Sequence, residues 1–124
     1  MGKTADLRKL IKLQLTATDG LTYAVHAREN SPFPYKTFSL SRVDLGDLHR
    51  NDYTLDVDIF DKAPDSKTVD DIADEIESLF NAANLPQSTI LPTFFKDSRF
   101  PIEEADKDIQ HIRLTFLVQL YEIE

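Results

Sequence analysis

Asp56 and Asp58 stand two residues apart, and Asp61 follows. Residues so spaced on a strand share a face. The pair could therefore bind a divalent cation or trade protons as general acid and base. A strand's wet face is also an ordinary home for aspartate, and no defined loop supplies the remaining oxygen ligands, so the pattern reads first as solvated surface. Asp44, Asp47 and Asp52 flank Gly46 and resemble a calcium loop only superficially, because their spacing is not that of an EF-hand. His26, His49 and His111 have no partner at the HxH or HExxH spacing that brings two imidazoles onto one metal. Each reads as a surface or half-buried residue. The chain has no cysteine, which excludes disulfides and thiolate metal sites. Its three glycines, Gly2, Gly20 and Gly46, cannot build a loop that cradles phosphates. No Gly-x-Ser-x-Gly elbow is present. The groups that chemistry needs are absent or isolated, so no catalytic residue, no metal and no cofactor is expected.

The elements that must carry these residues follow from apolar spacing. Leu7, Leu10, Ile11 and Leu15 mark one face of a helix over Thr4–Leu15, with Lys3, Arg8, Lys9 and Lys12 largely on its wet side. Asp19-Gly20 is a turn signal. Leu21–Glu29 reads as a short strand. Pro32 and Pro34 then force a rigid extended connector. Tyr35–Val43 is a strand of imperfect alternation, and Asp44–Asn51 a polar turn. In Tyr53–Phe60, Tyr53, Leu55, Val57 and Ile59 point one way and Thr54, Asp56, Asp58 and Phe60 the other. One dry face and one wet face favour an antiparallel sheet.

Val69, Ile72, Ala73, Ile76, Leu79 and Phe80 form the strongest helical stripe. Thr68 with Asp71 resembles a capping box, and Asn81–Asn84 with Pro86 supplies the stop. The outer face of this helix, with Asp70, Asp71, Asp74, Glu75 and Glu77, is strongly negative. Ser88–Lys96 reads as a strand that Pro92 marks as an edge or a bulge. Asp97–Lys107 reads as a charged loop. Within it Arg99, Phe100, Pro101 and Ile102 could form a docking arm or could tuck over the sheet edge. Ile109–Ile123 is the last strand, with Ile112, Leu114, Phe116, Val118 and Leu120 inward and His111, Arg113, Thr115, Leu117, Gln119 and Tyr121 outward. The expected fold is α+β. It is a single domain over residues 1–124, a mainly antiparallel sheet of about four to five strands with two helices on one face.

The net charge is −8. It is unevenly spread: residues 1–50 hold 8 Lys/Arg and 5 Asp/Glu, and residues 51–124 hold 6 and 17. A chain this acidic lacks the basic footprint of a nucleic-acid binder. Its asymmetry can instead steer association between copies or partners. No apolar run is long enough to span a bilayer, and the charged N-terminus does not read as a signal peptide. The expectation is a soluble protein assembled in a cytoplasm, without membrane contact.

Taken together, these segments resemble the small tail-completion proteins of long-tailed bacteriophages, the tail terminators and tail-to-head joining proteins. The likeness covers most of the chain. It rests on the N-terminal helix, on Phe33-Pro34-Tyr35 opening a strand, and on Tyr53-Thr54-Leu55-Asp56-Val57-Asp58-Ile59-Phe60. It continues through the helix Thr68–Phe80 and the closing strand from His111-Ile112-Arg113 to Val118. The resemblance implies an α+β protein that forms a ring, commonly hexameric, capping the tail tube and meeting the head connector. Its partners would be further copies, the tail tube protein and a head-completion protein, and its place the virion tail. Function would lie in surfaces. The residues expected there are Arg8, Lys12, Asp56, Asp58, Asp74, Glu77, Arg99, Phe100 and Ile102, with Asp56 and Asp58 lining a lumen. Two other readings compete. One is a small regulatory or ligand-binding module that dimerises through its sheet. The other is a metal-assisted hydrolase using Asp56, Asp58 and a histidine.

Overall fold

The structure, a computed structural model, describes residues 3–18, 20–24, 32–43, 50–80 and 90–122. The elements run α1 (Lys3–Thr16), β1 (Leu21–Ala24), β2 (Tyr35–Val43), β3 (Arg50–Lys62), α2 (Lys67–Phe80), β4 (Ile90–Pro101) and β5 (Ile109–Glu122). They form one five-stranded sheet in the order β1-β2-β3-β5-β4. Every neighbouring pair is antiparallel except β1 with β2. Strands β3 and β4 are joined through α2 and enclose β5, a split β-α-β unit. The α+β class, the strand number and the two helices are as the sequence led us to expect. The second half of the Leu21–Glu29 strand, residues 44–49 of the Asp44–Asn51 turn, the stop at Asn81–Pro86, His26 and His49 lie outside the described residues, and Arg50 and Asn51, expected in that turn, open β3 instead.

A single apolar core lies between the sheet and the helices. Leu7, Ile11 and Leu15 of α1 and Val69, Ile72, Ala73, Ile76 and Phe80 of α2 meet Leu55, Val57, Ile59, Leu114, Phe116 and Val118 from the two central strands. Both helices therefore cover the same face. Burying residues such as Ile72, Ile76 and Phe80 stabilises by about 1.5–3 kcal/mol each before entropy is counted. Phe80 packs on Phe94 and Phe116, with ring centroids 4.7 and 5.6 Å away, which ties α2 to β4 and β5. Thr4 Oγ1 and Tyr53 Oη, 2.7 Å apart, fix the start of α1 over β3.

Several local readings change. α2 begins before Thr68: the Asp65 carboxylate accepts the Lys67 N–H at 3.1 Å, and the Ser66 hydroxyl donates to Asp70 at 2.8 Å. The cap is thus built from Asp65 and Ser66, and Thr68 lies inside the helix. The expected loop from Asp97 is strand instead. β4 runs on to Pro101, paired with β5 on both sides of Asp97, so Arg99 and Phe100 belong to an edge strand and not to a docking arm. In β2 the alternation is imperfect because Lys36 takes a core position. It is fully buried and donates its ammonium to the Gly20 carbonyl at 3.0 Å. Gly20 itself has φ +89°, and a Cβ there would stand 2.8 Å from the Pro34 carbonyl oxygen. The conformation and the close approach both demand glycine.

Candidate functional site

The face of the sheet away from the helices carries the polar residues. Register across β3 and β5 sets Asp56 against Thr115, Asp58 against Arg113 and Phe60 against His111. Cross-strand neighbours lie close enough for side chains to bond directly. Thr115 donates to Asp56 at 2.8 Å. Asp58 accepts from Arg113 Nε at 2.9 Å and lies 2.7 Å from His111 Nε2. The other ring nitrogen of His111 lies 2.8 Å from Glu104 Oε1, in the turn between β4 and β5. A neutral imidazole has one N–H and can serve one carboxylate, whereas the imidazolium serves both. His111 is buried, and its ring stacks on Phe60 at 4.1 Å. Phe60 in turn stacks on Tyr35 at 5.0 Å, and Tyr35 meets Tyr23 and Phe33. An aromatic row thus crosses β1, β2, β3 and β5 at one end of the sheet.

Electrostatics follow from this packing. Burial pushes the Asp58 carboxyl up, but the bonds and charges of His111 and Arg113 outweigh it and hold the group below its ordinary value. Asp58 keeps Arg113 protonated even more firmly than usual. Burial raises the Tyr35 phenol, and the negative charge of Glu104 and the nearness of Tyr23 add to the shift. Asp58 was expected to be a solvated acid. It is instead the centre of a charge-matched network, because β5 sets two nitrogen-bearing side chains beside it. Asp58 and Glu104 approach opposite nitrogens of the same ring, so the three do not converge on one ion. Among the described residues no group of three or more His, Asp or Glu is placed to hold a metal.

A second cluster lies on the helix side at the β4 edge. A bulge between Lys96 and Ser98 inserts Asp97 into β4. Such an insertion flips the inside–outside phase of every residue beyond it. Arg99 therefore points to the helix side, opposite the buried Leu114. There its guanidinium bonds Asp74 at 2.7 Å, Asp70 at 3.1 Å and Glu77 at 3.1 Å. Lys96 adds an ion pair to Glu77 at 2.8 Å. The bond to Asp74 is the main reason the guanidinium pKa is raised further. The outer face of α2 is thus less negative than its sequence suggests, since Arg99 and Lys96 clamp it to the sheet.

The structure joins Asp74, Glu77 and Arg99 in this clamp and sets Asp56 and Asp58 side by side on the opposite face of the sheet. Phe100 is exposed on that face beside Arg113, and Ile102 is half-buried, its N–H donating to the His111 carbonyl at 2.9 Å. Arg8 and Lys12 are exposed on α1, far from either cluster in sequence. The sequence weighs His111 only as an isolated surface or half-buried histidine and Arg113 only as an outward strand residue, and it does not point to Glu104. Their signal was the facing pair of alternating segments, Asp56-Val57-Asp58 and His111-Ile112-Arg113, legible only once the register is known.

No family model matches the chain, and no curated protein matches it. Its fold is shared by solved structures. One is a chain of the virion of a native gene transfer agent particle, 14% identical with a TM-score of 0.71, over 90% of this chain and 84% of that one. Another, whose name carries no functional description, is 12% identical with a TM-score of 0.69, over 98% and 94%. At such identities the likeness establishes a common fold.

Proposed function

We propose that this protein is a structural component of a tailed-phage or phage-like particle, a tail-completion protein acting as tail terminator or tail-to-head joiner. Copies close into a ring, hexameric in the form common to such proteins. The ring meets the tail tube on one side and the head connector on the other. Assembly takes place in the host cytoplasm, and the protein ends in the virion tail. No residue has a catalytic role; contact surfaces carry the function. The observation that carries this reading is the fold shared over nine-tenths of the chain with a virion component of a gene transfer agent. It agrees with the resemblance already seen in the strand and helix motifs.

The test is light scattering and negative-stain microscopy of the purified protein, alone and with assembled tail tubes from the same genome. Rings at the tube ends are expected. A tight dimer that leaves the tubes unbound would overturn the reading in favour of the dimeric module.

A further inference from the structure

We propose that successive copies of this chain join head to tail, the basic flank of α1 in one copy docking on the acidic cleft between α1 and α2 of the next. The inference rests on the ring reading and assigns its lateral interface. The acceptor is an open cleft of about 660 Å³ where the turn that follows α1, at Ala17 and Thr18, faces Asp71, Asp74, Glu75 and Leu79 of α2. Glu75 has no ion pair among the described residues. Asp71 and Asp74 keep 61% and 68% of their side chains in solvent despite pairing with Lys67 and Arg99. The last turn of α1 has no basic residue, so its negative dipole end adds to the field of the cleft. Leu13, one turn before Ala17, is 64% exposed.

The donor is Arg8 and Lys12, one turn apart, with Lys9 beside them. All three are exposed and carry no ion pair among the described residues. At about 100° per residue, Ala17 lies on the opposite side of α1 from Arg8 and about 140° from Lys12. Donor and acceptor therefore face different directions and cannot neutralise each other within one chain. Contact between copies must be heterologous, the type that closes rings or runs on as filaments. Long basic side chains suit the cleft, since their stems can cover Leu79 and Ala17 while their heads reach the acids.

Charge reversal with rescue tests this. Sedimentation velocity would compare wild type, Lys12→Glu, Glu75→Lys and the double variant at about 50 and about 500 mM NaCl, where screening differs severalfold. Each single reversal should weaken self-association roughly tenfold at low salt, and the double variant should recover most of it. Assembly beyond two copies that ignores both reversals overturns this interface and leaves the ring standing. Charge-sensitive growth into open filaments upholds the interface and sinks the ring. Wild-type protein that stays monomeric at about 0.5 mM, a concentration that populates even weak contacts, also overturns it.

Discussion

Asp58→Asn removes one charge from the open face with almost no change in shape. The asparagine oxygen can still accept one bond, but it has no charge to set against the Arg113 guanidinium and cannot hold Arg113 and His111 together as the carboxylate does. Arg113 keeps 40% of its side chain in water and can rehydrate, so its share of the loss is small. His111 keeps only 7% and cannot. Hydrogen bonds to charged groups contribute about 1.5–3 kcal/mol each. Nearly the full value for His111 and a discounted one for Arg113 put the destabilisation at roughly 2–3 kcal/mol. For a domain of this size that is about 8–12 °C in Tm. Urea and thermal unfolding at pH 7 measure it directly. The pH dependence has a definite sign. Asp58 in the folded protein lies below its ordinary value, so its contribution is complete well above the unfolded pKa and is lost as pH falls through the lower, folded one. The gap between wild type and variant should start to narrow near about pH 5 and continue closing toward about pH 2. A loss under about 0.5 kcal/mol at pH 7, the level of an ordinary surface change, refutes the reasoning. So does a gap that stays constant down to about pH 3.

Other substitutions probe the remaining features. Gly20→Ala should cost about 1–3 kcal/mol, because its φ is positive and the added methyl meets the Pro34 carbonyl; an unchanged urea midpoint would contradict this. Phe116→Ala, in the middle of the core under α2, should cost about 3–5 kcal/mol by chemical denaturation. Arg99→Ala should cost about 1 kcal/mol at low salt, with most of the difference gone at about 1 M NaCl, since its partners are partly exposed.

Apolar period made much of this fold legible. The stripe from Val69 to Phe80 and the alternations in β3 and β5 could each be satisfied in one way, with the dry side on a shared core. Where a polar residue took a core position the pattern blurred, as at Lys36, whose burial depends on a carbonyl sixteen residues away in sequence. Register carried the rest. His111 looked isolated because its partners, Asp58 and Glu104, are 53 and 7 residues distant, and only strand pairing gathers them. The same holds for Arg99, which an unbroken alternation would have pointed to the open face. One inserted residue, Asp97, turned it to the helix, and nothing in the local composition announces where a bulge falls.

That bulge also bears on how copies can meet. β4 is an edge strand, and open edges invite pairing with a neighbour's strand. This edge is poorly suited to it. Pro92 lacks an N–H, Asp97 interrupts the ladder, and Lys96 brings charge to the rim. Extending the sheet from one copy into the next through β4 would break hydrogen-bonding register at two points. On the open face Asp58 and His111 are already matched and nearly dry, and Arg113, with 40% of its side chain in water, would lose that water without gaining a partner. On the helix layer the charges without an ion pair among the described residues include Arg8, Lys9 and Lys12 on one flank of α1 and Glu75 at the cleft beside α2, where Asp71 and Asp74 are paired but largely exposed. If assembly is to gain energy from groups not already satisfied within the chain, it must use those flanks, and their opposite orientation makes the contact directional.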